Sequence, residues 1–243
     1  QLVEHLTLNQ GVQGSNPWRS TASTIFEDTG ALGMVLFLLP IKGGTTMNLI
    51  FDLDDTLYDL MGPFELVHKK LYADKTDADC TELFIKSRDY SDEIMEAEIK
   101  GDIPHEDCFY ERIKRTYHDV GIEMNREDTE EFERLYRAYQ KEISLSEGVE
   151  EFLDYCKAHN IFIAILTNGR PKSQYAKVIA LDLHRWFDDD HIFISGGIGY
   201  QKPDPMAFQY IEKMFSLNPE ETWYIGDTYE ADVVGADLSL IHI

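Results

Sequence analysis

Four short apolar segments, each ending in polar residues, recur along the chain from residue 47 onward. They are MNLIFDL at 47–53, IFIAILTNG at 161–169, HIFIS at 191–195 and TWYIGD at 222–227. Continuous apolar runs of this length, rich in β-branched residues, are typical of strands buried in a parallel sheet. Helical patterns separate the segments. We therefore predict an α/β fold, a Rossmann-like parallel sheet with helices on both faces.

The long stretch between the first two strands has the period of helices instead. Apolar residues recur there at spacings of three and four, in three groups: Phe64, Val67 and Leu71; Phe109, Ile113 and Tyr117; Phe132, Leu135, Tyr136 and Tyr139. This spacing predicts about four amphipathic helices. We predict an all-helical unit at 63–143, inserted into a core formed by 47–62 and 144–243.

Residues 1–46 follow neither pattern. The segment begins with Gln and contains the loop-like stretch NQGVQGSNPWRSTAST. We expect it to be poorly ordered or non-native. The sequence GVQGSNPWRS resembles a translated transfer-RNA gene, which would make Met47 the natural start. A genuine leader without functional signal is the alternative.

Composition narrows the possible partners and the compartment. The chain carries 45 acidic and 22 basic residues, a net charge of −23, and it has no basic cluster that could neutralise a nucleic acid backbone. The longest apolar run, at 31–41, is too short to span a membrane. Three cysteines without a CxxC pair favour a reducing, cytoplasmic location. We predict neither a nucleic acid nor a membrane partner. An acidic protein that binds an anionic substrate needs a metal ion or local cations.

Polar residues stand at the carboxyl ends of all four predicted strands. They are Asp52 and Asp54, Thr167 and Asn168, Lys202, and Asp227. Any one of them could simply be part of a turn. Ligands of parallel sheets, however, bind where these ends meet. Carboxylates there can hold Mg²⁺, attack a phosphoryl group or transfer protons, while a lysine and a hydroxyl can stabilise phosphoryl oxygens.

Four motifs that contain these residues resemble those of a known family. DLDDT at 52–56, LTNG at 166–169, QKPDP at 201–205 and GDTYEAD at 226–232 are similar, in type, order and spacing, to the motifs of the haloacid dehalogenase superfamily of hydrolases. The resemblance extends from Met47 to about Leu238. It implies that the helical insert is a cap that closes over the site and selects the substrate.

The resemblance also implies a role for each motif residue. Asp52 would be the nucleophile and Asp54 the general acid and base. The phosphoryl group would be bound by Thr167, Asn168 and Lys202. Mg²⁺ would be held by Asp52, the backbone carbonyl of Asp54, Asp227 and Asp232. Asp55 receives no role, because an extended backbone directs it away from Asp52 and Asp54.

The function implied is that of a Mg²⁺-dependent phosphohydrolase. Its substrate would be a small phosphorylated metabolite, a nucleoside monophosphate or a sugar phosphate, hydrolysed through an aspartyl-phosphate intermediate. Asp54 argues against a metal-independent 2-haloacid dehalogenase, and Thr56 argues against a phosphomutase. A non-catalytic binding or regulatory member stays open, because GADLSLIHI ends where the family would supply another strand and helix. We expect a truncated core if the chain stops there.

Overall fold

A parallel sheet of four strands forms the centre of the protein. The computed structural model describes residues 47–239 and 241–242, so the predictions for 1–46 lie outside the described residues. The strands are β1 (Asn48–Phe51), β2 (Phe162–Thr167), β3 (Ile192–Ile194) and β4 (Thr222–Ile225). They lie in the order β3-β2-β1-β4, and all neighbours are parallel. Each strand falls within the apolar segment that predicted it.

Helices fill the connections between the strands. Between β1 and β2 lie α1 (Gly62–Leu71), α2 (Cys80–Lys100), α3 (Cys108–His118), α4 (Arg126–Tyr139) and α5 (Val149–Ala158). Then follow α6 (Pro171–Ala180) before β3, α7 (Ser195–Ile198) and α8 (Pro205–Phe215) before β4, and a π-helical turn (Tyr229–Val233) leading into α9 (Val234–Ser239). Short 3₁₀ turns occupy 105–107, 183–185, 189–191 and 219–221. None of the helices described is long and apolar enough to cross a bilayer.

The sheet buries both of its faces. Successive side chains of β1 point to opposite sides, so Leu49 and Phe51 join one apolar cluster and Ile50 joins the other. Phe152 of α5 packs in the first cluster, and Phe208 of α8 packs in the second. Helices therefore cover both faces, which confirms the predicted α/β class.

Helices α1 to α4 form an insert with an aromatic interior. The ring of Phe64 on α1 lies 5.6 Å from Phe84, 5.5 Å from Phe132 and 6.4 Å from Tyr117. Contacts of this kind, together with apolar burial, hold the four helices to one another. The domain boundaries at 63 and 143 stay a prediction, although α1 and α4 begin and end close to them.

The two segments that join the insert to the core run side by side. The backbone N–H of Ser146 donates a hydrogen bond of 3.0 Å to the carbonyl of Leu57. The chain therefore leaves the core and returns to it at adjacent points.

A short segment near the end of the chain, at His242, pairs with the outer edge of β4. The N–H of Tyr224 donates to the carbonyl of His242 at 2.7 Å, and the N–H of His242 donates to the carbonyl of Thr222 at 2.9 Å. This bridge is parallel, and its two bonds partly satisfy the outer edge of β4.

Candidate active site

The strand order brings the predicted site residues to one edge of the sheet. The chain moves from β1 to β2 and β3 on one side, and β4 then pairs with the other side of β1. This reversal creates a crevice at the carboxyl ends of β1 and β4, where ligands of such sheets bind. Asp52 directly follows β1, Thr167 ends β2 and Asp227 lies two residues after β4.

Lys202 is the centre of a buried charge cluster. Its Nζ lies 2.6 Å from Asp52 Oδ1 and 2.6 Å from Asp232 Oδ1. The same ammonium group donates to the hydroxyl of Tyr224 at 2.7 Å, which in turn donates to the carbonyl of Leu166 at 3.0 Å. Lys202, Asp52 and Asp232 are at most 6% exposed. One lysine thus bridges two buried carboxylates, one directly after β1 and the other in the π-helical turn that follows β4.

The charges of this cluster depend on one another. Burial raises the pKa of Asp52 to about 7, although the ammonium group of Lys202 counteracts part of that effect. Burial alone would lower the pKa of Lys202, but Asp52 and Asp232 together raise it. Lys202 therefore stays protonated, and a second cation near Asp52 would favour its ionised form further.

Three carboxylates at this edge form a set that suits a divalent cation. Asp52, Asp227 and Asp232 each offer an oxygen within 4.8 Å of the others. Partial desolvation, followed by the charges of Asp55 and Asp232, raises the pKa of Asp227 to about 6. Oxygen donors that repel one another in this way fit a hard ion such as Mg²⁺. The side chain of Asp54, by contrast, is bound elsewhere.

Gly226 makes room for this arrangement. A Cβ at Gly226 would collide with the carboxyl group of Asp232, whose Oδ2 accepts a hydrogen bond of 2.9 Å from the N–H of Thr228. The glycine of the fourth motif therefore allows the backbone to approach Asp232 closely.

Asp54 is held by a clamp of three side chains. Lys177 Nζ lies 2.6 and 2.7 Å from its two carboxylate oxygens, and the hydroxyl of Tyr58 donates to Oδ1 at 2.6 Å. Gln174 Nε2 donates to Oδ2 at 3.2 Å. Burial would raise the pKa of Asp54, but Lys177 and these hydrogen bonds outweigh it and lower the pKa. Asp54 is therefore ionised in this arrangement.

Thr167 and Asn168 make different kinds of contact. The hydroxyl of Thr167 is buried and accepts a 2.6 Å hydrogen bond from Gln174 Nε2, which links it to the clamp on Asp54. The side chain of Asn168 is bound on both sides by the backbone of Lys202: its Nδ2 donates to the carbonyl at 2.8 Å, and its Oδ1 accepts from the N–H at 2.9 Å. Asn168 thus fixes the loop that presents Lys202.

The backbone at Asp55 is not extended, although the alternation argument expected it to be. Asp55 has a positive φ of 55° and lies in a turn, where its Oδ1 accepts a hydrogen bond of 2.9 Å from the N–H of Leu60. The alternation argument is therefore wrong at this residue, and the charge of Asp55 acts on Asp227. Asp59 accepts a hydrogen bond of 2.9 Å from the N–H of Met61 and so helps to fix the same turn.

Sequence reasoning missed Lys177, Gln174 and Tyr58. Lys177 and Gln174 are three residues apart, so they lie on the same side of α6, which begins just after the second motif. The stretch PKSQYAKVIA reads as an ordinary surface helix, because lysine is seldom buried. The position of the helix directly after a strand-end motif was the one available signal.

Besides the hydrogen bond between Ser146 and Leu57, a group of charged side chains joins the insert to the core near the site. Arg170, in the loop after Gly169, forms an ion pair with Glu98 of α2, and its Nη1 lies 3.1 Å from His105 Nε2. His105 Nδ1 lies 3.0 Å from Glu98. The insert therefore rests on the core beside the second motif.

The sequence pattern that defines the haloacid dehalogenase-like hydrolases matches residues 46–237. The chain belongs to this family. The four motifs all fall inside the matched range, and the prediction of a hydrolase of this superfamily is confirmed.

Curated relatives of this hydrolase include several phosphatases. A phosphoserine phosphatase from Thermus thermophilus is 36% identical over 117 residues, which are 48% of this chain and 45% of the relative. A glyceraldehyde 3-phosphate phosphatase from Pyrococcus abyssi is 27% identical over 191 residues, 77% of this chain and 76% of the relative. The prediction of an enzyme that hydrolyses phosphoric monoesters agrees with these relatives.

Solved structures of the haloacid dehalogenase-like family share the fold. The hydrolase YfnB from Bacillus subtilis, crystallised with bound magnesium, superposes with a TM-score of 0.61 at 25% identity, over 82% of this chain and 87% of that one. The L-2-haloacid dehalogenase from Xanthobacter autotrophicus superposes with a TM-score of 0.60 at 18% identity, over 81% of this chain and 75% of that one. The latter similarity concerns the fold alone.

Proposed function

We propose that this hydrolase is a Mg²⁺-dependent phosphatase that acts on a small phosphorylated metabolite through an aspartyl-phosphate intermediate. The observation that carries the proposal is the bridge from Lys202 to Asp52 and Asp232, with Asp54 two residues beyond Asp52. This arrangement joins a nucleophile, a fixed cation and a candidate metal ligand at one point. The substrate classes are a nucleoside monophosphate and a sugar phosphate, and the phosphatases among the relatives support a small phosphorylated metabolite.

Asp52 performs the first step in this proposal. A carboxylate oxygen of Asp52 attacks the phosphorus, and the bond from phosphorus to the leaving oxygen breaks. Lys202 holds Asp52 in place and, with Thr167, stabilises charge on the phosphoryl oxygens. Asp52, Asp227, Asp232 and the backbone carbonyl of Asp54 would hold Mg²⁺, which when bound supplies positive charge that offsets the negative charge of the substrate.

Asp54 moves the proton in both steps. In its acid form it donates a proton to the leaving oxygen, and as a carboxylate it then takes a proton from water. That water attacks the phosphorus of the acyl phosphate, the bond to Asp52 breaks, and inorganic phosphate leaves. The ionised Asp54 of this structure is the form that the second step needs. The proton that Asp54 takes from water in the second step restores its acid form, so each turnover supplies the proton for the next first step.

The decisive experiment measures phosphate release from a panel of phosphomonoesters, with Mg²⁺ and with a chelator. We expect activity only with Mg²⁺, and we expect Asp52→Asn to lower kcat at least about a thousandfold. Asp74→Asn, at an exposed carboxylate of the insert, is the matched control. Turnover that survives the chelator or the Asp52 substitution would overturn the mechanism.

The same panel separates this proposal from its alternatives. Halide release from a 2-haloacid without metal would identify a dehalogenase. Conversion of one sugar phosphate isomer into another, without net release of phosphate, would identify a phosphomutase. Metabolite binding without turnover would identify a regulatory protein.

A further inference from the structure

Arg112 on α3 is a cation that pairs with no carboxylate among the residues that the structure describes. Its guanidinium group forms no hydrogen bond or ion pair within the described part of the chain, and its buried Nε has no partner there. The guanidinium carbon instead lies 4.7 Å from the ring centre of Phe109 and 6.0 Å from that of Tyr136. A buried N–H group without a partner is costly, so its presence in a folded protein calls for an explanation.

Two more arginines increase the positive charge at this point. Burial, followed by the repulsion of Arg88 on α2 and Arg137 on α4, lowers the pKa of Arg112 to about 10, so the residue stays charged at neutral pH. Glu133 also acts on Arg112, but its carboxylate is 3.3 Å from Arg137 Nη2 and is already engaged. In a chain with a net charge of −23, cations from three helices collect at a place where the described residues supply no carboxylate that pairs with Arg112.

Arg112 also lies at the end of the insert that meets the core. Cys108 is one turn earlier on the same side of α3, and it clusters with Glu98 and His105, which both contact the core residue Arg170. This side of α3 therefore faces the loop of the second motif.

A chain of tyrosines leads from Arg112 to the proposed acid and base. Burial and Asp54 are the main causes of the raised pKa of Tyr58, and Tyr136, which lies under the guanidinium of Arg112, adds to it. The hydroxyl of Tyr58 is hydrogen-bonded to Asp54. Two side chains, Tyr136 and Tyr58, therefore connect Arg112 with Asp54.

We propose that Arg112 binds an oxyanion on the organic part of the substrate, so that the substrate is a phosphorylated acid. This inference rests on the proposed phosphatase function and narrows its substrate class. A planar guanidinium binds a carboxylate or a phosphate through two parallel hydrogen bonds, and such a pair would satisfy the donors that the protein leaves open. Arg88 and Arg137 add attraction for the same negative group.

The test compares the binding of three non-hydrolysable probes by isothermal titration calorimetry with Mg²⁺ present. Propylphosphonate carries no second anion, 4-phosphonobutanoate carries a carboxylate, and propane-1,3-bisphosphonate carries a second phosphonate. We expect at least one of the two probes with a second anionic group to bind about tenfold or more tightly than propylphosphonate. For each of these two probes, the affinity ratio is its affinity divided by that of propylphosphonate. The probe with the larger affinity ratio shows whether the natural group is a carboxylate or a phosphate.

Substitutions then assign the preference to Arg112. Arg112→Gln should bring the affinity ratio to about one, whereas Arg112→Lys should retain part of it. Arg134→Gln, at an exposed arginine of α4 that pairs with Glu131, should leave the ratio unchanged. Thermal unfolding checks that each variant is folded. If Arg112→Gln does not fold, Arg137→Gln is tested in its place and should lower the affinity ratio roughly twofold.

Two results would overturn the inference: a ratio near one in the unmodified protein, or a high ratio that survives the substitution at Arg112. A chain that releases no phosphate from any monoester overturns the proposed phosphatase function instead. Because the calorimetric ratio requires no turnover, the two failures are distinguishable.

Discussion

Replacing Lys177 by methionine would remove the cation that pairs with the carboxylate of Asp54. The side chains of Lys177 and Asp54 are only 8% and 22% exposed, and their charged atoms lie 2.6 Å apart. Methionine fills a similar volume without charge, so the change removes the ion pair and little packing. Tyr58 and Gln174 would still donate to Asp54, but neither carries a positive charge.

Removing one member of a buried ion pair costs about 3–5 kcal/mol. Because Asp54 is partly solvated and keeps two hydrogen bonds, we expect a loss near the lower limit, about 3 kcal/mol at pH 7. Lys177 lowers the pKa of Asp54, and this contribution to stability is present above the unfolded pKa and disappears as the pH falls through the folded pKa. The penalty of Lys177→Met should therefore shrink in acid, where Asp54 takes up a proton.

Urea unfolding measures both effects. Lys177→Met is compared with Lys172→Met, at an exposed lysine of the same helix, which should change stability by less than about 0.5 kcal/mol. The double variant Lys177→Met with Asp54→Asn removes the orphaned charge and should be more stable than Lys177→Met alone. The reasoning fails if Lys177→Met costs less than about 1 kcal/mol, or if the double variant is no more stable.

Two further predictions follow from the geometry. Gly226→Ala should lower kcat by about tenfold or more, because the new Cβ collides with Asp232. The control is Gly197→Ala, which should retain activity because a Cβ there would meet only a proline ring at 3.8 Å. Equal rates in the two variants would contradict the argument. Burial lowers the pKa of His68, so the unfolded chain binds more protons and stability should fall as the pH drops below about 6.5. Urea midpoints of His68→Gln should decline less steeply with acid than those of the unmodified protein, and identical slopes would refute this.

The parts of the site that lie in strand-end motifs were predictable from the sequence. A buried strand shows itself as an unbroken apolar run, and the residue after it is placed by the sheet. Asp52, Thr167 and Asp227 were located in this way, and their meeting follows from the parallel order of the strands.

The supporting side chains were not predictable, because long-range packing places them. Lys177 comes from a helix whose pattern is that of any amphipathic surface helix, and only the position of α6 over the sheet turns it towards Asp54. Arg112 is one of several arginines in the insert, and no periodicity distinguishes it from Arg134, which is exposed. The direction of Asp55 was missed because a turn with positive φ replaces the extended backbone.

The hydrogen bond between Ser146 and Leu57 makes the insert a closed loop, because its two ends join the core side by side. The entropy of closing such a loop grows only slowly with its length, so inserts of very different size can occupy the same place without disturbing the order of the sheet. If the proposed function holds, the residues of the insert that would select a substrate and the core residues that would break the bond can change independently, as two exchangeable parts of one chain.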